Sequence, residues 1–429
     1  MTAPTESGPA AGPLAAVVGG ALPLAQPGPA IDLSRLTFPP PIGAGASLTV
    51  LDITKYFGDA TGGIRTYLLA KARYVQARAT LRQVLVVPGA ADALGEERGV
   101  RCYRLRGPKI PFDQSYRFLL ATRTTRRILE HERPDLIEVG SPWFVPWVTR
   151  RANRTLRAPL VWFYHTHFPA IIDPGSTGSS AARRIAGRAA WSYVRRLAAG
   201  YRAVLVASES VARQLEAEGV RRVHRVALGV DLDQFTPERR VRASETRRRF
   251  GLPDAPLAIF LGRLAEEKQI ETVLAAWGEV ERRTDAWLVL VGTGPREAKL
   301  RSMAESHQVR WVPYQRDRDQ VADLLSAADL YIAPGPAETF GLSALEAMAA
   351  GLPVLSVDSG GVADRVRASG AGALYAPGDP GACASAATEL LRGDLRGLGL
   401  TARAFAERHH SWDTAFDGIF AVYRDLLAE

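Results

Sequence analysis

The sequence feature that most constrains the fold is a regular alternation of short apolar strands with amphipathic helical segments. The alternation begins at Ser47, and its first series of strands reads SLTVLDIT, QVLVVPG, RCYRLRG, LIEVG, PLVWFYH, AVLVAS and HRVALG. Helical stretches such as FLLATRTTRRILEHE lie between most of these strands. Strands that are apolar on both faces and alternate with helices indicate an α/β fold, in which helices cover both sides of a parallel sheet.

The alternation stops at a turn-rich segment, ALGVDLDQFTPERR (227–240), and then starts again with LAIFLG, WLVLVG, VRWV, LYIAP, PVLSV and ALYA. A chain of 429 residues exceeds what a single hydrophobic core usually supports. We therefore predict two Rossmann-like domains, residues 47–232 and 233–411, and a C-terminal helix over residues 412–429 that packs back on the first domain. Residues 1–46, rich in Ala, Pro and Gly, are predicted to form a disordered tail.

Charge is distributed unevenly between the two predicted domains. Residues 47–230 hold 30 Lys and Arg against 14 Asp and Glu, whereas residues 231–429 hold 23 against 29. A basic domain attracts nucleic acid, anionic lipid or phosphorylated substrates, and arginines that are merely solvated are an equal alternative. Because no nucleic-acid motif accompanies the charge, we expect no nucleic-acid partner. The Arg-rich segment WSYVRRLAAGYR (191–202) has two interpretations: an amphipathic helix on an anionic membrane, or an ordinary surface helix.

Cysteine content and apolar runs favour a cytoplasmic location. Cys102 and Cys383 are too few for a disulfide framework. No apolar run reaches the roughly 18–20 residues that span a bilayer. The apolar stretch 10–25 is broken by Pro and Gly, so we expect a flexible tail there rather than a signal peptide. The basic domain leaves peripheral contact with the inner face of the cell membrane open.

One stretch, DLYIAPGPAETFGLSALEAMAAGLPVLSV (329–357), predicts a strand, a Gly/Pro-rich loop, an Ala-rich helix and a second strand. Such a loop directs backbone N–H groups and the positive end of the helix dipole into one small volume, which suits phosphate. Glu338 and Glu346 would be repelled by phosphate unless they faced another group, such as sugar hydroxyls. The stretch therefore suggests a nucleotide-sugar site.

Other polar and glycine residues follow predicted strands, and ligands of open parallel sheets bind beyond the carboxyl ends of the strands. These residues are Gly62, Gly63, His165, His167, Gly262, Arg263, Lys268, Gly292 and Gly294. Arg263 and Lys268 could neutralise charge on a leaving diphosphate. The alternatives are ordinary glycine turns, a solvated lysine and a core histidine. No Cys/His cluster has zinc spacing, so we expect a metal-independent reaction without a cofactor.

Six motifs resemble those of retaining glycosyltransferases of family four, which have the GT-B fold of two Rossmann-like domains whose parallel sheets face each other across a cleft. They are TGGIRTY (61–67), YHTHFP (164–169), ALGVDLDQFTP (227–237), LGRLAEEKQIETVLAA (261–276), VGTGP (291–295) and ETFGLSALEAMAAGLPVL (338–355). That family includes mannosyltransferases that act on phosphatidylinositol or glycolipids, and sulfoquinovosyl-diacylglycerol synthases. The resemblance covers nearly all of the chain after residue 46.

The resemblance implies a role for each matching position. Glu338 matches the first glutamate of the E-x7-E motif, which contacts donor-sugar hydroxyls, and Glu346 matches the second, which binds the nucleotide ribose. Arg263 and Lys268 match the cations on the donor diphosphate. The remaining donor-binding and reacting-centre positions that it implies are His165, Gly63, Gly262, Gly292, Gly294, Thr339, Phe340, Gly341 and Leu342. The role of His167 is left open, because this second histidine is not general in the family.

The implied activity is transfer of a hexose, mannose or glucose, from a UDP- or GDP-sugar to a hydroxyl acceptor with retention of configuration. The acceptor would be a lipid or a glycan, such as a glycolipid. One alternative is a non-catalytic protein that binds nucleotide or polyanions through its basic domain. Another is a phosphorylase-like or sugar-phosphate synthase activity, which would need further acceptor-phosphate contacts.

Overall fold

The computed structural model describes residues 38–43, 45–58, 62–111, 113–173 and 180–429. Most of the predicted disordered tail lies outside the described residues, as does Thr61 of the TGGIRTY motif. The prediction of disorder is wrong for residues 38–43, because Phe38 stacks on His131 and the Ile42 N–H donates to the Glu132 carboxylate at 3.0 Å. Two α/β units follow one another along the described chain, each built on its own sheet.

Within the described residues, the N-terminal unit forms an eight-stranded sheet in the order β10-β9-β8-β7-β1-β2-β4-β3, and β5 and β6 form a separate hairpin. The strands are β1 Leu48–Ile53, β2 Leu81–Gly89, β3 Ala93–Glu97, β4 Val100–Arg106, β5 Lys109–Ile110, β6 Asp113–Arg117, β7 Leu136–Val139, β8 Leu160–Phe163, β9 Ala203–Val206 and β10 Val223–Arg225. Their helices are α1 Gly63–Gln76, α2 Thr122–Glu132, α3 Val145–Ala152, α4 Phe168–Ile172, α5 Ala181–Ala198 and α6 Glu209–Ala217.

The C-terminal unit forms a six-stranded, all-parallel sheet in the order β13-β12-β11-β14-β15-β16. Its strands are β11 Leu257–Leu261, β12 Trp287–Val291, β13 Val309–Val312, β14 Leu330–Ala333, β15 Val354–Val357 and β16 Gly372–Tyr375. Its helices are α7 Ala243–Phe250, α8 Ile270–Thr284, α9 Glu297–Met303, α10 Arg318–Ser326, α11 Leu342–Ala349, α12 Gly360–Ser369, α13 Pro380–Arg392 and α14 Leu395–His409, and the last helix of the chain is α15 Trp412–Ala428. Short 3₁₀ turns occupy Pro237–Arg242 and Glu266–Lys268.

The predicted α/β class with parallel sheets is confirmed, and one strand departs from it. β3 runs antiparallel to β4 at the edge of the first sheet. The two strands are joined by Arg98 and Gly99, both with positive φ, and this backbone geometry suits a two-residue hairpin. Strand β3 was not predicted, because its residues, ALGEE, are half polar and carry no continuous apolar signal.

Each sheet has a point where the strand order reverses, and ligand sites of open α/β sheets form there. In the first sheet β1 lies between β7 and β2, and in the second β11 lies between β12 and β14. The loops after β1, β11 and β14 therefore converge where the sequence analysis places the candidate residues.

Helix α5 packs one side against the N-terminal unit. Its buried residues face the N-terminal unit and are Gly187, Ala190, Val194, Leu197 and Ala198. Tyr193 stacks on Trp143 with ring centroids 5.4 Å apart. These apolar residues of α5 are therefore buried in the protein, whereas Ile185, 66% exposed, and the arginines of the helix face outward, so contact of α5 with an anionic membrane stays a prediction.

The C-terminal helix α15 packs against the N-terminal unit through a buried polar cluster. Lys71 Nζ lies 2.7 Å from Asp52 Oδ1 and 3.2 Å from Glu138 Oε2, and it donates to the Tyr423 hydroxyl at 3.0 Å. Tyr423 comes from α15, so the cluster joins the last helix to β1, α1 and β7. In the residues that the structure covers, no helix is both long enough and apolar enough to cross a bilayer.

Candidate functional site

The loop between β14 and α11 forms the centre of the candidate site. Gly341 begins α11 in the left-handed conformation, with φ of +73°, and a Cβ atom there would clash with Val362. No side chain caps the amino end of α11. Its first N–H groups are therefore available to an anion, as the sequence pattern predicts.

Glu338 forms an ion pair with Lys268 in this loop. Lys268 ends the 3₁₀ turn after β11, and both side chains are about one quarter exposed, at 24% and 25%. The chain fits closely here, because a Cβ atom at Gly335 would lie only 3.3 Å from the Glu267 carbonyl oxygen. The pair therefore joins the ends of two neighbouring strands and faces the cleft.

Arg263 lies at the rim of the same edge. Its side chain is half exposed, and its guanidinium is 3.1 Å from the Glu267 carboxylate. It follows β11 directly, as predicted, and it lies within the same short loop as Lys268.

Three predicted glycines, Gly262, Gly292 and Gly294, hold the loops after β11 and β12 together. A Cβ atom at Gly292 would clash with the Gly262 carbonyl oxygen, and one at Gly294 would clash with the Leu264 carbonyl oxygen. These close backbone contacts are enough to explain why Gly292 and Gly294 are glycines, because neither position has room for a side chain. Contact with a donor stays a prediction for all three.

Glu346 is buried within α11, where it pairs with Arg318 at the start of α10. Burial raises the pKa of Glu346, and the neighbouring Arg318 opposes this shift. Arg318 was not predicted from the sequence, although it follows β13 in YQRDRDQ and so meets the same strand-end criterion. Its guanidinium also lies 4.9 Å from the centre of the Phe235 ring.

The N-terminal unit contributes Gly63 and His165 to the opposite wall of the cleft. Gly63 opens α1, and a Cβ atom there would lie 3.7 Å from Leu342 Cβ, so a bulky side chain would meet α11. His165 stacks on Phe163 with ring centroids 4.0 Å apart. Burial lowers the pKa of His165 to about 3, and Lys71 acts in the same direction, so the ring is neutral at pH 7.

Thr339 links the two walls directly. Its hydroxyl donates a hydrogen bond of 2.7 Å to the backbone carbonyl of His165. Phe340, in contrast, turns its side chain away from the cleft into a buried contact with Arg365, whose guanidinium lies 4.2 Å from the ring centre. Only the backbone of Phe340 borders the site.

The start of α12, shortly after β15, supports Glu338 and was not identified from the sequence. The Gly361 N–H donates to the Glu338 carbonyl at 2.8 Å, and a Cβ atom at Gly360 would come within 2.6 Å of the same oxygen. Arg365 donates to the Gly341 carbonyl at 2.8 Å, and burial lowers its pKa to about 10. The glycine pair after PVLSV was a usable signal, since it matches the Gly62-Gly63 pattern after β1.

His167 lies deeper than His165 and lines a cavity of about 400 Å³ between the two units. Burial lowers the pKa of His167 to about 4. Across this cavity the Ser210 N–H donates to Asp364 Oδ2 at 2.8 Å, which joins α6 to α12. In the described ranges, no group of three or more His, Cys, Asp or Glu side chains is placed to hold a metal ion.

The structure thus brings Gly63, His165, Lys268, Glu338 and Thr339 to one cleft. Leu342 lies beside them, and Gly341 begins the helix on which the loop depends. Glu346 lies one turn of α11 beyond Leu342, and Arg263 lies at the rim of the cleft.

Two family profiles together match most of the chain. The profile described as Glycosyltransferase Family 4 matches residues 61–234, and the one described as Glycosyl transferases group 1 matches residues 243–408. A GDP-mannose-dependent alpha-(1-6)-phosphatidylinositol dimannoside mannosyltransferase of Mycobacterium tuberculosis is 31% identical over 337 residues, which cover 74% of this chain and 84% of the relative. The sulfoquinovosyl transferase SQD2 of Arabidopsis thaliana is 29% identical and is matched over 78% of this chain and 65% of its own length.

A solved structure shares the architecture at low sequence identity. Sucrose-phosphate synthase from Thermosynechococcus elongatus superposes with a TM-score of 0.71 over 89% of this chain and 99% of its own, at 22% identity. At this low sequence identity, the similarity shows only that the two proteins share a fold.

Proposed function

The chain belongs to the family-four glycosyltransferases with the GT-B fold, and we propose that it transfers a hexose from a UDP- or GDP-sugar to a hydroxyl acceptor with retention of configuration. The predicted family, fold and enzyme class, a hexosyltransferase, are confirmed. Mannose from GDP-mannose is the favoured transferred group, since the Mycobacterium tuberculosis relative is named for that donor. The observation that carries the proposal is the Lys268–Glu338 pair at the start of α11, facing His165 and Gly63.

In the proposed donor complex the diphosphate lies at the amino end of α11. Lys268 and Arg263 neutralise its charge, together with the N–H groups of the uncapped helix. The diphosphate competes with Glu338 for Lys268, and this competition frees the carboxylate to accept hydrogen bonds from sugar hydroxyls. Glu346, held by Arg318, accepts a hydrogen bond from the ribose.

The proposed reaction occurs on one face of the sugar. The acceptor oxygen forms a bond to the anomeric carbon while the bond from that carbon to the diphosphate oxygen breaks, and the hydroxyl proton passes to the leaving phosphate. His165 is neutral at pH 7, so it serves as a hydrogen-bonding partner of the sugar rather than as a charged acid. Arg263 and Lys268 supply the positive charge for the leaving group, so the proposed reaction needs no metal ion.

The acceptor is proposed to be a lipid or glycan that is reached at a membrane surface. Next to α5 the start of α3 exposes Phe144 and Trp147, each about half accessible at 52%. Phe144 holds this position with φ of +58°, which is unusual for a bulky residue. Aromatic side chains beside outward-facing arginines suit the interface of an anionic bilayer.

A donor and acceptor screen tests the proposed function. The purified chain is incubated with UDP-glucose, GDP-mannose, UDP-galactose and UDP-GlcNAc, with and without lipid extract. We expect release of nucleoside diphosphate from one donor and a product with the anomeric configuration of that donor by NMR. An inverted product would refute the retaining mechanism. If no donor is turned over and polyanions alone stabilise the fold, the non-catalytic alternative is correct.

A further inference from the structure

The cavity of about 400 Å³ between the two units has walls from both, and its volume lies in the usual range of small-molecule sites. The N-terminal wall includes His167, Trp191 and Ser210, and the C-terminal wall includes Glu338. Because Glu338 also faces the proposed donor site, the cavity opens directly beside the reacting centre.

Two buried polar atoms of the N-terminal wall lack a hydrogen-bond partner among the described residues. They are His167 Nε2 and Ser210 Oγ. The other ring nitrogen, His167 Nδ1, lies 2.8 Å from the Tyr164 hydroxyl. Burial raises the pKa of Tyr164, so the phenol keeps its proton and can donate it to Nδ1. The neutral ring then carries its own proton on Nε2.

Gln214 lies on the same wall and does not satisfy His167. A hydrogen bond with its side chain opposes the effect of burial on the pKa of His167, but Nε2 has no partner of good hydrogen-bond geometry among the described residues. Buried polar groups in folded proteins are nearly always paired, so a missing partner at a cavity wall indicates a ligand group. His167 is 5% exposed, which leaves the cavity as the place for that group.

The charges on the cavity wall favour a neutral ligand that is rich in hydroxyls. The lining contains the carboxylates Asp173, Glu338, Asp358 and Asp364 and one guanidinium, Arg367. Arg367 is paired with Asp358 and lies 3.9 Å from Asp364. Carboxylates accept hydrogen bonds from hydroxyls and repel phosphate, so a phosphorylated ring is disfavoured here.

Trp191 gives the cavity a flat apolar surface beside His167, with ring centroids 5.4 Å apart. A pyranose has an apolar C–H face and a rim of hydroxyls. Such a ring can therefore pack on the indole while its hydroxyls reach His167 and the carboxylates. A phosphate would use only the polar groups of the wall, and an alkyl chain would use only the surface of the indole.

We propose that this cavity is the acceptor site, and that it takes the uncharged sugar or polyol end of the acceptor, held by His167 Nε2–H, Ser210 and Trp191. The proposal rests on the proposed function, since it assigns the acceptor side of the same cleft. The acceptor hydroxyl that reacts forms its bond to the anomeric carbon of the nucleotide sugar as the diphosphate leaves with the proton. His167 is a positioning and specificity residue in this scheme.

The test compares matched neutral and anionic probes on the full chain: methyl α-D-mannopyranoside and mannose 6-phosphate. His167→Phe removes the donor, His167→Gln restores an N–H group, and Trp191→Leu removes the flat surface. We expect the KM for the neutral probe to rise about tenfold or more in His167→Phe and Trp191→Leu, with partial recovery in His167→Gln. Donor hydrolysis without acceptor should change less than about twofold, and the matched controls His224→Phe and Trp311→Leu should leave both values unchanged.

Faster transfer to mannose 6-phosphate than to the neutral probe would overturn the proposal, as would variants that raise donor KM as much as acceptor KM. Binding of both probes is measured in parallel by saturation-transfer NMR. If no nucleotide sugar is turned over by the wild type, the proposed function fails. The acceptor inference then depends on whether the neutral probe binds and loses binding in Trp191→Leu; absent or unchanged binding overturns it too.

Discussion

Lys268 and Glu338 show how a functional pair can look structural in the unliganded protein. In the ion pair each side chain satisfies the other, and both remain about one quarter exposed to the cleft. Because the pair is only part-buried, water screens it and breaking it costs less than breaking a fully buried pair, so a diphosphate can offer Lys268 a stronger partner. The arrangement therefore suits binding better than it suits folding.

Lys268→Ala is expected to lower kcat by about 10²–10³, because the charge on the leaving diphosphate loses its nearest cation. The melting temperature should hardly change, since the pair is partly solvated. Lys299→Ala is the matched control: this lysine pairs with Glu271 at 3.4 Å on the surface of the same unit. Turnover of the true substrates by Lys268→Ala at the wild-type rate would remove Lys268 from the mechanism.

His410 gives a residue-scale prediction about pH. Burial lowers its pKa from 6.5 to about 4, and Arg365 acts in the same direction. Below pH 6.5 the unfolded chain binds a proton at His410 that the folded chain does not, so the free energy of unfolding falls as pH drops from 6.5 towards 4.

His410→Asn should make that fall shallower by up to about 1.4 kcal/mol per pH unit, since the amide can keep the bond to the Leu228 carbonyl without titrating. Urea unfolding at about pH 4.5, 5.5 and 7 measures the difference. Parallel stability curves for wild type and variant would mean that His410 is protonated equally in both states.

At the scale of secondary-structure elements, the repeated strands and helices could be predicted from the sequence. Pairs of side chains that lie far apart along the chain could not. The alternation of strands and helices indicated both parallel sheets, and the strand-end rule selected Gly63, His165, Lys268 and Glu338, which the cleft brings together. Arg318 follows the same rule but was hidden in a charged run, where its partner Glu346 lies 28 positions away. Neither spacing nor periodicity encodes such a pairing.

The amino end of α11 is the element on which the donor site depends. Gly341→Ala should weaken nucleotide-sugar binding by about tenfold or more, because the residue has φ of +73° and a Cβ atom would clash with Val362. Titration with the active donor and thermal melting measure the two effects.

Gly418→Ala is the matched control for the Gly341 substitution. Gly418 lies within α15, and a Cβ atom added there would meet no described atom within 4 Å outside its own stretch of helix. The substitution should leave binding unchanged and stabilise the helix by about 0.5–1 kcal/mol. Equal donor affinity in wild type and Gly341→Ala would show that the turn does not shape the site.

At the scale of the whole molecule, two chain crossings join the units and a few contacts close the cleft. The crossings lie side by side, where the Val230 N–H donates to the His410 carbonyl at 2.8 Å. Thr339 and Asp364 each make a hydrogen bond across the cleft. A paired crossing with few polar contacts at the mouth suits a cleft that opens for substrates and closes to exclude water.

The surface formed by α5 and the neighbouring α3 suggests how the enzyme would reach an acceptor in a membrane. Helix α5 directs arginines outward, including Arg188 and Arg196, while Phe144, just before the adjoining α3, and Trp147, within it, are exposed. The two helices are in contact, since Arg150 of α3 donates to the Leu197 carbonyl at 2.7 Å. Charge and aromatic rings on neighbouring helices would act together, with the arginines attracting anionic lipid and the rings entering the headgroup region.

We expect the chain to float with vesicles that contain phosphatidylglycerol and to remain unbound with phosphatidylcholine alone, with binding that weakens as salt is added. Arg188→Glu/Arg196→Glu and, separately, Phe144→Ser/Trp147→Ser should each release most of the bound protein. Arg248→Glu/Arg249→Glu makes the same charge change on exposed arginines of the C-terminal unit and should bind like wild type. Flotation that is insensitive to salt, or lost equally in the control, would mean that this face does not contact the membrane, and the acceptor would then have to be reached in solution.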